Sequence, residues 1–315
     1  MKTNNELKIP SFKLPKELLG PTKSAPLDKK PNDFNLNNIP RSDIASKGYQ
    51  SKFNFIKAHD GLQKGHIHVL LGRTNKGKSS LILELIIEQA KKGVRSLLFL
   101  SEGNKGDIRV QIELLLAAKR VPKSEYDSVI KNIVVLSEYD ISGKTDSSDP
   151  LRWVNSLFRY HQDYRTDIVF LDNISGLKYG NCDPETQSLF IKILNDTCIN
   201  TATPLVVAVH QSKGVAADKE LEVHDIRANQ SFSNIPSYIY ALNDFCNLSK
   251  DKRIIKILKS RCHALAIGKY FETNFVFSGK TGHYKGDKEI ESNYAKLAFI
   301  NNRKAGYSTK SYNKF

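Results

Sequence analysis

The chain has 315 residues, 40% of them hydrophobic and 26% charged, which is enough for one α/β core with extensions. Lys and Arg number 48 against 33 Asp and Glu, so the formal charge is +15. Such an excess suits an anionic partner such as a nucleic acid, although an Asn-, Ile- and Lys-rich composition produces it too. No apolar run approaches the roughly 18 residues of a membrane span, no signal-peptide core opens the chain, and Cys182, Cys198, Cys246 and Cys262 form no C-x-x-C pair; these features argue against membrane proteins, disulfide frameworks and zinc modules, and for a reducing cytoplasm.

Residues 1–50 carry Pro10, Pro15, Pro21, Pro26, Pro31 and Pro40 among many lysines, which reads as an extended basic arm: a docking segment, a tether for nucleic acid or a disordered leader. From residue 60 the pattern changes to alternating strand and helix. The apolar run Ile67 to Leu71 predicts a buried strand, and Ser80 to Ala90 has helical periodicity. Between them stands Gly72-Arg73-Thr74-Asn75-Lys76-Gly77-Lys78-Ser79-Ser80, a P-loop by spacing and by its strand-before, helix-after context. The glycines let backbone N–H groups turn toward a phosphate chain, and the helix N-terminus adds positive potential. Residues 72–80 are therefore the nucleotide-binding candidates, with Lys78 for the β- and γ-phosphates and Ser79 for Mg²⁺. His66 and His68 alternate on the strand and read as strand-face residues.

Further along, residues 95–100 predict a second strand running into Ser101-Glu102, 107–119 a helix, 133–136 a third strand, and 150–161 an amphipathic helix. Asp167 to Asp172 is an apolar strand closed by an acid, and Asp183-Pro184-Glu185 supplies an N-cap, an N1 proline and a first-turn acid for a helix to about Asn200. Leu205 to Val209 is another buried strand, ending in His210-Gln211-Ser212-Lys213. Strands this apolar, alternating with helices, describe a mostly parallel sheet covered by helices on both faces. Ligands then sit at the carboxyl ends of the strands, where Glu102, Asp172 and Gln211 all fall. Residues 215–232 read as a loop. Strands at 235–242 and 254–258 and a hairpin-like segment through Gly282 add an antiparallel extension. The motor domain is expected at 51–284 and a basic tail at 285–315.

With these elements placed, residues 61–284 resemble the RecA-like P-loop NTPase core of hexameric replicative helicases, a group that includes the DnaB family, the helicase half of phage primase-helicases and the plasmid RepA-type helicases. Residues 72–79 match Walker A; Leu98 to Glu102 match the strand whose terminal Glu polarises the attacking water; Ile168 to Asn173 match Walker B, whose acid holds the Mg²⁺ shell. Val206 to Gln211 match the strand ending in a γ-phosphate sensor, and Ile254 to Arg261 resemble the late Lys-x-Arg strand that reaches a neighbouring subunit's nucleotide. Where such helicases often have Arg-Gly-Ser, this chain has Arg227-Ala228-Asn229-Gln230-Ser231. No primase module or helical collar precedes the core, so the resemblance covers a motor alone.

The resemblance implies ATP and Mg²⁺ as cofactors, single-stranded DNA or RNA as partner, a homo-oligomeric ring of hexamer type, a separate primase or loader, and phage or plasmid DNA replication. It implies catalytic roles for Glu102, Lys78, Gln211, Lys259 and Arg261, a metal-binding pair in Ser79 and Asp172, and nucleic-acid contacts from Lys213 and Arg227. The plainer alternatives are a helix N-cap for Glu102, a strand-terminating acid for Asp172, a surface amide for Gln211 and a solvated cation for Arg261. His210 is either a supporting partner of the site or a packed core histidine. Asp218, Glu220, Glu222 and Asp225, in the same loop as Lys213, stand against nucleic-acid contact there.

Overall fold

The apolar runs form strands because each is rich in Leu, Val, Ile or Phe and is buried on both faces. A computed structural model describes residues 47–142, 149–180, 182–216, 219–227, 230–244, 252–278 and 281–292, all within the unit Asp43–Phe315. Most of the expected N-terminal arm, the polar stretch 143–148, Ala228 and Asn229, Cys246 and most of the basic tail lie outside these residues.

The strands are β1 (Ile67–Gly72), β2 (Ser96–Leu100), β3 (Ile133–Ser137), β4 (Ile168–Asp172), β5 (Leu205–His210), β6 (Tyr238–Asp244), β7 (Lys252–Ser260), β8 (Tyr270–Ser278) and β9 (Thr281–Ile290). They make a nine-stranded sheet in the order β3-β2-β4-β5-β1-β6-β7-β8-β9. The pairs from β3 to β6 are parallel, and those from β6 to β9 antiparallel. This is the expected fold class: α/β, mostly parallel, with an antiparallel extension. The expected motor boundary at residue 284 falls inside β9.

The helices are α1 (Asn54–Lys57), α2 (Lys78–Lys91), α3 (Lys105–Ala118), α4 (Tyr126–Ile130), α5 (Glu138–Ser142), α6 (Pro150–Asp163), α7 (Pro184–Thr201) and α8 (Ser231–Asn234). Residues of α1 to α4 join Leu70, Leu98, Phe170 and Val206 in the core on one face of the sheet, while α6 and α7 cover Val69, Phe99, Leu171 and Val207 on the other. Local chemistry sets the helix starts. Asp149 accepts from Leu151 N, and Asp183 from Thr186 N, each with proline in the first turn.

The extension folds back over α2. Glu84 of α2, with its side chain fully buried, pairs with Lys52 at 3.2 Å and Lys119 at 2.5 Å and accepts from the Tyr284 backbone N–H. Asp287 of β9 accepts from Asn54 N and Phe55 N, capping α1, whose own N-cap residue Phe53 offers no side-chain acceptor. His68 is buried and bonded to Gln63 N and Tyr240 Oη, while His66 meets Ser237 Oγ at 2.9 Å.

Candidate nucleotide site

β1 ends at Gly72 and the chain turns through Asn75 (φ 58°) and Gly77 (φ 101°) into α2, which begins at Lys78. Gly77 is required twice over: its φ is left-handed, and a Cβ there would lie 2.5 Å from Tyr284 Oη. Lys78 is buried, and its ammonium donates to Gly72 O at 2.9 Å, Arg73 O at 2.8 Å and His210 Nδ1 at 3.1 Å. Burial lowers its pKa to about 8 against the opposing pull of Asp172 and Glu102.

Asp172 closes β4 beside this lysine. Burial pushes its carboxyl up, opposed by a hydrogen bond from the Ser79 side chain and by the Lys78 charge, while Glu102 adds to the rise. Strand pairing sets Asp172 opposite Leu100, so Glu102 leaves the sheet at the same edge. Ser101 braces that turn: its N–H donates to Asp172 O at 3.0 Å and its Oγ accepts from Asn173 N at 3.0 Å. Gly176 leaves room for it, since a Cβ there would stand 2.9 Å from Glu102 Oε1. Glu102 is exposed and is not a helix cap; Asn104 caps α3, accepting from Gly106 N and Asp107 N.

His210 ends β5 opposite Gly72, and its Nδ1 also lies 3.4 Å from Thr74 Oγ1. Burial first, then the charges of Lys78 and Arg227, lower its pKa to about 4, so it is a neutral acceptor. Gln211 follows, with Oε1 buried and without a hydrogen-bond partner among the described residues. The loop after it closes through the Gln211–Ile226 bridge, Ser212 N to Asp225 O at 2.7 Å and Arg227 N to His210 O at 2.8 Å. Lys213 and Arg227 are exposed. Of the loop's acids, Glu220 pairs with Lys256 at 2.7 Å, and Asp225 and Glu222 meet Lys219; Asp218 lies outside the described residues. The Arg73 side chain turns into this loop, donating to Ala216 O and Lys219 O.

Lys259 and Arg261 lie elsewhere. Ser260 pairs with Tyr238, which pairs with His68 at the amino end of β1, while Gly72 pairs with Leu242 at the other end. Four residues at about 3.3 Å each put them roughly 13 Å or more along the sheet from their own P-loop. There Lys259 Nζ donates to Ser233 O and Asn234 O, and Arg261 to Asn234 O at 2.7 Å.

Sequence reasoning missed Arg253 and Tyr284. Arg253 Nε donates to Lys76 O at 3.3 Å with its guanidinium 5.1 Å from the Phe275 ring centroid, and Tyr284 Oη donates to Gly77 O at 3.2 Å. Both contacts span more than 170 residues, so no local pattern announces them.

The donor set fits a magnesium nucleotide: a buried ammonium, a hydroxyl bonded to a half-buried carboxylate, and an orphaned amide oxygen at one strand-end edge. Among the described residues no group of three or more His, Cys, Asp or Glu is placed to hold a metal by itself, and no helix is long and apolar enough to cross a membrane.

No family model and no curated protein matches the sequence. Solved structures do match by fold. The ATPase domain of G40P superposes with a TM-score of 0.58 at 15% identity, covering 73% of this chain and 88% of that one. The RadB recombinase superposes with a TM-score of 0.51 at 14% identity, covering 69% and 90%. Together with the nine-stranded sheet and the P-loop at the end of β1, these likenesses show that the chain has the RecA-like ATPase fold.

Proposed function

We propose that this protein is an ATP-hydrolysing, ring-forming motor on single-stranded nucleic acid, the core of a replicative DNA helicase. The observation that carries the reading is the convergence of Lys78, Ser79, Asp172 and Glu102 at the carboxyl edge of β1, β4 and β2. Lys78 would bind the β- and γ-phosphates, and Glu102 would orient the attacking water. Ser79 and Asp172 would hold Mg²⁺, which when bound neutralises charge on the phosphates. Gln211 would meet the γ-phosphate edge. Arg261, with Lys259 beside it, would serve a neighbouring copy, since its own site is too far along the sheet. Lys213 and Arg227 would contact the strand's phosphates, giving salt-dependent, sequence-tolerant binding.

A second reading, a recombinase-like filament that binds single strands without unwinding, is favoured by the likeness to RadB. The deciding experiment is steady-state ATPase with and without single-stranded DNA at two salt concentrations, followed by electron microscopy. Stimulation that fades with salt, from closed rings, supports the motor. Filaments support the second reading. An unstimulated rate would favour an ATPase that regulates protein partners.

A further inference from the structure

We infer that His59 and His263 together hold a divalent transition-metal ion of the zinc class, at the opposite end of the sheet from the P-loop. His59 follows α1 and His263 follows β7, and their rings stand 5.8 Å apart at an interplanar angle of 71°. Each ring is fixed through one nitrogen: His59 Nδ1 meets Ser260 Oγ at 3.1 Å, and His263 Nε2 meets Asp60 Oδ2 at 3.3 Å. The other two nitrogens, His59 Nε2 and His263 Nδ1, are buried without a hydrogen-bond partner among the described residues. Metal-bound imidazoles are held in this way, one N–H donating to an oxygen behind the ring so that the tautomer is set and the remaining nitrogen keeps its lone pair. The two residues are 204 apart in sequence, so no local spacing announces the pair.

A ligand nitrogen lies about 2.0–2.1 Å from Zn²⁺ and about 1.1 Å from its own ring centre, so two rings sharing one ion have centroids about 5–6.4 Å apart for ligand angles from tetrahedral to linear. The separation of His59 and His263 falls within that range. Burial first, then the charge of His263, lowers the His59 pKa to about 3, so its imidazole is neutral and needs to release no proton to ligate. Tyr238 packs against both rings, with centroids 4.9 Å from His59 and 6.4 Å from His263, and its buried Oη, beside the Cys262 thiol, can hydrogen-bond a water that completes the ion's shell. The neighbouring His68 is already bonded at both ring nitrogens, and His66 is bonded to Ser237. Imidazole donors with a carboxylate only behind them suit a zinc-class ion and not Mg²⁺ or Ca²⁺, which take oxygen ligands. His59 and Tyr238 are fully buried, whereas His263, 26% exposed, opens to solvent and gives the ion its entry. Bound there, the ion ties the segment that leads into β1 to the turn that carries Arg261.

The test uses the full chain, freed of metal by chelation and without nucleotide, titrated with Zn²⁺ by calorimetry. Wild type should bind the ion, and His263→Gln, at a partly exposed position, should weaken that binding about tenfold or more. Asp60→Asn leaves both imidazoles in place and should weaken it about 10- to 100-fold, the usual worth of the group behind a metal-bound histidine. His224→Gln removes the exposed histidine beside Glu222 and Asp225 and should bind Zn²⁺ as wild type does. X-ray absorption at the zinc edge of the wild-type complex should show imidazole scattering, a readout independent of any variant's folding. Zn²⁺ should also slow tryptic cleavage after Arg261 in wild type and not in His263→Gln. No binding by wild type, equal affinity in His263→Gln, an ion lost only in His224→Gln, or a zinc edge without imidazole would overturn the inference.

Discussion

The hydroxyl of Tyr284 donates to the carbonyl of Gly77 across 207 residues of sequence, so the last strand of the sheet touches the turn that is built to hold phosphate. The backbone of Tyr284 is held in turn by Glu84 and Lys52. Tyr284→Phe keeps the ring packed against Phe275 and removes only the hydroxyl, so it should cost about 1 kcal/mol of stability and weaken nucleotide binding severalfold. Urea unfolding alongside equilibrium nucleotide titration checks this; equal affinity in the variant would mean that the contact is incidental to the loop.

Glu84 is buried between two lysines that are themselves partly exposed, 34% for Lys52 and 20% for Lys119. Breaking a buried pair from one side costs about 3–5 kcal/mol, and solvent access to the lysines puts Glu84→Gln near the lower end. Lys119→Met, by contrast, should cost less, because Glu84 keeps Lys52. Chemical denaturation of both variants tests the ordering.

Acid should unfold the protein through its buried histidines. His59 and His161 are lowered by burial from 6.5 to about 3 and about 4, so both are neutral when folded. The unfolded chain binds their protons first. Stability is therefore full above pH 6.5 and falls as pH drops toward the folded values, by up to about 1.4 kcal/mol per unit for each group. His161 is bonded at both ring nitrogens, to Thr166 at 2.7 Å and Thr203 at 2.9 Å. Denaturation midpoints between pH 7.5 and 5 should slope less steeply in His161→Gln than in wild type.

Arg261→Ala should lower hydrolysis about 10³-fold or more while leaving nucleotide binding within twofold, because the residue lies at the far end of the sheet from its own P-loop. Mixed assemblies of wild-type and variant copies should lose activity faster than the fraction of variant added. A proportional decline would show that the residue acts within its own copy or not at all.

Lys213→Ala should reduce the dependence of single-strand affinity on salt by about 0.7 in the slope of log K against log salt, one phosphate contact's worth. The three described acids of its loop are occupied by Lys219 and Lys256, which leaves the Lys213 charge exposed. An unchanged slope would move nucleic-acid contact elsewhere.

The parallel strands and their order of appearance were legible because each is an apolar run bounded by turn residues, and such runs can only be satisfied by burial on both faces. Asp172 and Glu102 were legible as a pair because both end such runs, and parallel strands put their carboxyl ends on one edge. The cap at Asp183 was readable too, since Asx-Pro is a local signal, whereas the same signal at Asp149-Pro150 went unread. What escaped was everything made by the antiparallel extension. Arg253 and Tyr284 reach Lys76 and Gly77 only because β7 to β9 double back, and β-strand period says which face a residue takes but not which distant loop lies over it. The side-chain course of Arg73, into the loop at 216–219, was hidden for the same reason.

The cap that Asp287 places on α1 has a consequence for how the protein comes into being. Synthesis delivers the amino-terminal part first. The P-loop and α2 leave the ribosome some two hundred residues before the strand that supplies Tyr284 to Gly77, Asp287 to α1 and a backbone partner to Glu84. A nascent chain ending before β9 carries the entire phosphate-binding motif with these three partners missing. Those three contacts therefore form only after residue 287 has been made, and a ribosome stalled short of residue 284 presents the motif without them.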